Sequence, residues 1–256
     1  MSGVAVVTGA SSGIGVEFAR QLAARGYDLL LVARRQDRLE TVAAEIRETH
    51  HRKVEVLPLD LAANGAAATV RARAELLGDV NVLVNNAGYG TYGHFLEQDD
   101  ARELGQIRLN CESLVALTRA VVPKMAERKK GVVVNVASLA AFQPVPYMTT
   151  YAATKAFVLS FTEALAEEMR PLGVHVSALC PGPVDTEFFQ VASPTRTMRH
   201  GPMLQPDAVV RMALDAAFDG RVIRIPGAIS KILAFGATVA PRALARKVAG
   251  LTVKPQ

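Results

Sequence analysis

The run Val4-Ala5-Val6-Val7-Thr8-Gly9-Ala10-Ser11-Ser12-Gly13-Ile14-Gly15 decides how this chain of 256 residues reads. Its first four residues are apolar on both faces, the pattern of a strand buried in a parallel sheet. Gly9, Gly13 and Gly15 then let the backbone turn tightly, and helical periodicity takes over near residues 13–25. A strand that ends in such a turn and opens a helix gathers free N–H groups and the positive end of a helix dipole at one point, where a pyrophosphate fits. The spacing G-x-x-x-G-x-G differs from the G-x-G-x-x-G dinucleotide fingerprint and lacks the Gly-Lys-Ser/Thr of a nucleoside triphosphatase loop. Taken alone, it also fits a plain strand-to-helix turn.

The same alternation continues outward from this run. Strands are predicted over 3–8, 28–33, 53–59, 80–85, 131–137, 173–180 and 221–225, and helices near 13–25, 35–50, 63–77, 99–128, 149–170 and 206–218. Repeated βα units predict an α/β fold: a Rossmann-like, doubly wound parallel sheet of about seven strands, in one domain over 1–256. Lys130-Gly131 is read as closing the long helix, Pro171 and Gly173 as stopping the one that begins near Thr149, and Pro206-Asp207 as opening the next. The stretch 183–205 is too long for a simple connection and is read as a substrate loop. Residues 227–256 are read as a C-terminal extension of two short amphipathic helices broken at Pro241.

Composition narrows the function classes. Hydrophobic residues make up 50% of the chain and charged residues 21%, enough for a packed core. The net charge is +5, but no run of five like charges occurs and aromatics are few, so a nucleic-acid partner is set aside. Cys111 and Cys180 are far apart and read as core thiols, and no Cys/His spacing suits a metal. With no signal-like N-terminus and no apolar run of about 18 residues, the cytoplasm is the expected location.

The chemistry gathers at predicted strand ends. After the second strand come Ala33-Arg34-Arg35, where an NAD-binding fold usually puts a carboxylate for the ribose 2′-hydroxyl. Arg34, with Arg35 and Arg38, suits the 2′-phosphate of NADP(H) instead, and this predicts NADP(H) over NAD(H). Asp60 with Leu61 follows the third strand, and its carboxylate suits either an adenine amino group or a helix cap. Asn85-Asn86-Ala87-Gly88 follows the fourth: amides to tie strand ends together, then small residues that leave room for a cofactor, or an ordinary turn. Ser138 lies just past the fifth strand. Tyr151 and Lys155 stand four apart on one helix face, so phenol and ammonium can converge and the cation can lower the phenol pKa. Tyr147 has no such partner, because the residue four on is Tyr151.

On these motifs together the chain resembles the short-chain dehydrogenase/reductase family over nearly its whole length. The matched positions are Thr8 to Gly15, Asp60, Asn85 to Gly88, Asn110, Ser138, Tyr151, Lys155 and Pro181-Gly182. The resemblance implies that Tyr151 is the general acid/base, that Ser138 positions the carbonyl, and that Lys155 binds the nicotinamide ribose. It also implies that Asn110 holds a water in a proton relay. Gly9, Ser11, Ser12, Gly13, Ile14, Gly15, Asn86, Ala87 and Gly88 would then line the cofactor, and Pro181, Gly182, Val184 and Thr186 would cover its nicotinamide end. Ser12 stands where one NADP-preferring pattern has a basic residue, so the preference rests on the arginines. The runs Gly88-Tyr89-Gly90-Thr91-Tyr92-Gly93 and Ala33-Arg34-Arg35, with the long tail, look more like a bacterial subgroup of the family than like 3-oxoacyl-carrier-protein reductases.

The expected reaction moves a hydride between nicotinamide and a ketone or secondary alcohol. Phe142, Val145, Tyr147, Phe188, Phe189, Val191, Met198 and Met203 are read as an apolar wall for a lipophilic or acyl-chain small-molecule substrate. The alternative is a catalytically silent NADP(H)-binding sensor or scaffold. A homodimer or homotetramer is implied through the long helices, where Leu114, Leu117, Val121, Phe157 and Phe161 serve equally as core. The tail reads as a cover over the substrate site or a partner contact, or as a segment lying on a membrane surface.

Overall fold

The structure, a computed structural model, describes residues 3–193 and 203–255. Strand β1 (Val4–Thr8) is buried along its whole length, as a strand covered on both faces must be. It pairs in parallel with β2 (Asp28–Ala33) on one side and β4 (Val80–Asn85) on the other. β3 (Val54–Pro58), β5 (Gly131–Val136), β6 (Val174–Leu179) and the short β7 (Ile223–Arg224) complete one parallel sheet in the order β3-β2-β1-β4-β5-β6-β7. The expected fold class is therefore present, with seven strands, each within one or two residues of its predicted bounds.

Period-2 alternation divides each strand between two cores. Ala5 and Val7 of β1 face α1 (Gly13–Ala24), α2 (Gln36–His50) and α8 (Pro206–Phe218), through residues such as Phe18, Leu39 and Leu214. Val4 and Val6 face α3 (Ala66–Leu77) and α5 (Ser113–Glu127), through Val70, Leu117 and Met125. Leu114, Leu117 and Val121 are core residues, whereas Phe157 on α6 (Thr149–Met169) is exposed and stacks on Phe161. After β3 the chain returns to β4 on the far side of β1, so a crevice opens between their C-terminal ends.

Two helix expectations are corrected. The span 99–128 is not one helix: α4 (Asp100–Ile107) passes through a π turn at Arg108–Glu112 before α5. The turn buries Asn110 at 2% exposure, and π turns often mark functional positions. Lys130-Gly131 does not close α5 either. Lys129 takes the left-handed conformation (φ +50°), and the Lys130 N–H donates to Met125 O at 3.0 Å. Gly131 already belongs to β5, where a Cβ would meet Met125 Sδ at 2.6 Å, so close packing calls for glycine there.

The stretch after β6 contains the short α7 (Phe188–Ala192). Its ends are pinned by a parallel bridge between Val184 and Leu204, with Leu204 N–H donating to Pro183 O at 2.9 Å and Asp185 N–H to Leu204 O at 3.0 Å. The tail forms α9 (Ala228–Val239) and α10 (Arg242–Val253), on either side of Ala240-Pro241, as expected.

Candidate active site

Polar side chains lock the strand ends around the crevice. Thr8 Oγ1 donates to Val84 O (3.0 Å) and accepts from the N–H groups of Asn86 (2.9 Å) and Ala87 (3.1 Å). Asn86 Nδ2 donates to Thr8 O at 2.8 Å. Asn85 Nδ2 donates to Asn135 Oδ1 (2.9 Å), and Asn135 Nδ2 to Thr162 Oγ1 (2.9 Å). The strand-tying role expected of the two amides is realised. Thr8, Asn135 and Thr162 join it unforeseen, because partners on three other elements cannot be paired from local spacing.

A cavity of about 520 Å³ opens over these ends. Gly9, Ser11, Ser12, Gly13 and Ile14 line it from the β1–α1 turn, and Arg34 and Arg35 from the end of β2. Asp60, Leu61, Asn86, Ala87 and Gly88 line it from the next two strand ends. Ser138, Tyr151 and Lys155 lie deeper, and Pro181, Gly182, Val184 and Thr186 close one side. Gly9 (φ +65°) and Gly13 (φ +55°) need their glycines, and Ser12 at the α1 N-cap makes no side-chain cap bond. This cradle of turn glycines and helix N–H groups fits a pyrophosphate.

Some expected contacts fall elsewhere. Gly15 lies beneath the turn rather than on the cavity, because a Cβ there would sit 2.2 Å from Gly9 O. Arg38 is also off the cavity: its guanidinium donates to Glu187 Oε1 at 2.5 Å. Arg35 reaches Glu187 Oε2 at 3.1 Å and Ser11 Oγ at 3.3 Å. Glu187, which sequence reading missed, is held below the usual carboxylate range by these two guanidinium groups, Arg38 first. Arg34 has no hydrogen bond or ion pair to a described residue and is the one of the three arginines left open to an anion. Asp60 accepts from Ala62 N–H at 3.0 Å, so it makes a turn bond while lining the cavity.

At the deep end, Ser138 Oγ accepts from Ala140 N–H at 3.1 Å and shares the cavity lining with Tyr151. Lys155 Nζ donates to Val136 O at 2.6 Å and lies 5.7 Å from the Tyr151 ring centre, within cation–π range. Asn110 stands behind them. Its Nδ2 donates to Tyr89 O (2.9 Å) and Thr154 Oγ1 (3.0 Å), and its Oδ1 accepts from Tyr89 N–H (3.2 Å). The π turn thus carries a side chain that pins both the loop after β4 and the helix bearing Tyr151.

Burial pushes Tyr151 up to about 12, only partly opposed by the neighbouring Ser138 hydroxyl. Burial likewise brings Lys155 down to about 8. The expected acidic phenol is therefore corrected: the ammonium bonds Val136 O instead of the phenol, and loss of water dominates. At neutral pH this phenol is a proton donor. Cys180, beneath the site, is raised to about 12 by burial, and both cysteines are free thiols.

The apolar wall is smaller than expected. Val145, Phe188, Phe189 and Val191 line the cavity, joined by Leu139, Met148 and, from the tail, Val253. Phe142 packs against a separate cluster with Val158 and Cys180. Tyr147 turns away to meet His94 edge-on (5.1 Å) from a left-handed backbone (φ +65°), and Met203 lies outside the wall. Met198 lies outside the described residues.

A doubly wound sheet with a phosphate-binding turn and a Ser/Tyr/Lys cluster at its switch point defines a nucleotide-dependent oxidoreductase. The family model for short chain dehydrogenases matches residues 3–197, and the chain belongs to that family, acting on a CH–OH or carbonyl group. It is 35% identical to a very-long-chain 3-oxoacyl-CoA reductase of Rattus norvegicus, over 90% of this chain and 75% of that protein. A short-chain dehydrogenase from Sphingobium yanoikuyae, solved in complex with NADPH, superposes with a TM-score of 0.82 at 34% identity, covering 88% of each chain. A bulky-bulky ketone specific alcohol dehydrogenase from Comamonas testosteroni superposes with a TM-score of 0.78 at 32% identity, covering 88% of this chain and 86% of that one.

Proposed function

We propose that this chain reduces a lipophilic ketone or 3-oxoacyl thioester with NADPH, which it prefers over NADH. The carrying observation is the convergence of Ser138, the buried Tyr151 and the buried Lys155 on one apolar-walled cavity. Bound NADPH supplies a hydride from its nicotinamide ring. Ser138 holds the substrate oxygen through its hydroxyl, and Tyr151 delivers a proton to that oxygen as it becomes an alkoxide. Lys155 holds the ribose side of the cofactor and offsets the negative charge left on the phenolate. Asn110 positions the helix turn that carries both. Val145, Met148, Phe188 and Phe189 exclude water and take the substrate's hydrocarbon. The names of the rat and Comamonas relatives, a very-long-chain 3-oxoacyl-CoA reductase and a bulky-bulky ketone specific alcohol dehydrogenase, support that substrate class.

Arg34 supports the NADPH preference, since its guanidinium lines the cavity with no hydrogen bond or ion pair to a described residue and fits a 2′-phosphate. The two free cysteines support a cytoplasmic setting, and exposed Phe157 on α6 supports a homodimer or homotetramer. The test is Tyr151→Phe assayed on a panel of hydrophobic ketones. Turnover falls by about a hundredfold or more, while NADPH binding, followed by nucleotide fluorescence, stays within about twofold. A variant with wild-type turnover removes this mechanism.

A further inference from the structure

The tail helices are built inside out. A surface helix normally buries its large apolar residues and exposes polar ones. α9 buries Ser230 and Ala234, and α10 buries Ala245 and Ala249, all small. Outward instead stand Ile229, Ile232, Leu233, Phe235 and Val239 on α9, with Leu244, Val248 and Leu251 on α10. Phe235 is 70% exposed and Leu251 80%. This is nearly half of the exposed large apolar residues among those described, gathered in the last thirty residues.

The charge on this segment has one sign. Between Gly220 and Gln256 there are seven Lys or Arg residues and no Asp or Glu, while the whole chain carries only +5. Lys231, Arg242, Arg246 and Lys247 are exposed beside the apolar side chains. Large apolar residues rimmed by cations fit the interface of an anionic bilayer, where hydrocarbon sinks below the headgroups and the cations meet phosphate. Two copies of this chain meeting through the same face would set cation against cation. Among the described residues no helix is long and apolar enough to cross a membrane, so the segment fits lying on a surface.

The face is also continuous with the substrate cavity. Val253 at the end of α10 lines that cavity and packs on the cluster holding Met148 and Tyr151. Gly250 packs against Pro146, and Gly182 beneath Ser230. We propose that α9 and α10 dock the enzyme on an anionic lipid surface, with the mouth of the cavity beside the bilayer, so that a lipophilic substrate enters from the membrane. The substrate half rests on the proposed reaction. The docking half does not, and it is tested without turnover.

The experiment is flotation of the full chain with vesicles of phosphatidylcholine alone or of phosphatidylcholine with phosphatidylglycerol. Wild type floats with the anionic vesicles, stays behind with the neutral ones, and is partly released by high salt. The double variant Ile232→Glu/Phe235→Glu loses about tenfold or more of its anionic-vesicle partition, while its unfolding temperature and its turnover of a water-soluble ketone match wild type. Arg246→Gln/Lys247→Gln weakens partition and flattens the salt dependence. No flotation of wild type, or equal partition of wild type and the Glu double variant, overturns the proposal. So does a wild-type dimer in solution that the Glu substitutions dissociate with no vesicle binding, because a second copy then covers the face. A chain that floats but reduces no ketone sinks the reaction and leaves the docking standing.

Discussion

Lys155 and Tyr151 are ionisable groups held without water, and each ties stability to pH with its own sign. Lys155 titrates at about 8 in the folded chain against an ordinary 10.5. Through that window the unfolded chain binds more protons, so stability rises with pH and the cost of burying the cation is greatest below about 8. Tyr151 works in reverse: between its ordinary 10 and about 12 the folded chain keeps a proton that the unfolded chain has lost, so the stability contributed by the buried neutral phenol is fully present below about 10 and is lost as pH rises through that range. Lys155→Met is therefore expected to be more stable than wild type near pH 7.5, by up to roughly 3 kcal/mol, and to lose that advantage as pH approaches 10. Chemical denaturation of both proteins across this range measures it, and a gap that does not change with pH contradicts the assignment. The pairing of Tyr151 with Lys155, and the place of Ser138, were legible because four residues make one helix turn and strand ends face the crevice. The direction of the phenol shift was not, because it depends on where a four-carbon stem ends and on enclosure by Phe188, which is distant in sequence.

Among the elements, the β1–α1 turn is the most tightly specified. Gly15 packs with no room for a methyl group, since Gly9 O and Asn86 Nδ2 stand 2.2 and 2.6 Å from where a Cβ would be. Gly15→Ala is expected to lower stability by about 1–3 kcal/mol and to weaken NADPH binding with it, because the same turn carries both. Urea unfolding and nucleotide titration read the two effects, and loss of one without the other shows that the turn is not shared. Strands in this chain were legible because apolar runs on both faces have no other use. The π turn was not: residues 99–128 keep helical periodicity through it, and the extra residue answers a tertiary demand, the reach of Asn110 to the Tyr89 backbone. Glu187 stayed hidden for a similar reason, since its partners Arg35 and Arg38 lie about 150 residues earlier.

Over the whole molecule, the strand order gathers residues from Gly9 to Val253 around one cavity, so filling it should hold distant parts of the chain together. NADPH at a hundred times its dissociation constant is expected to add about 2.7 kcal/mol to stability, with a larger rise in unfolding temperature than NADH gives at the same concentration. Arg34→Ala should erase that difference between nucleotides, and Arg38→Ala, whose partner is Glu187, should leave most of it. Thermal scans with each nucleotide decide the point; an unchanged preference in the Arg34 variant moves the 2′-phosphate contact elsewhere. The division into one domain was legible at this scale, as were the two tail helices. What those helices touch was not, because small buried residues and large exposed ones make a face whose direction only the packed structure reveals.

The clasp between Val184 and Leu204 makes the excursion between them a replaceable cassette. Its two ends leave the scaffold at a single point, so residues within it can be exchanged, lengthened or trimmed without altering the span the rest of the chain must bridge. Phe188, Phe189 and Val191 all belong to that cassette. Evolution, or an engineer, can therefore retune which molecule is accepted through Phe189 and Val191, while Phe188 stays to enclose the Tyr151 ring.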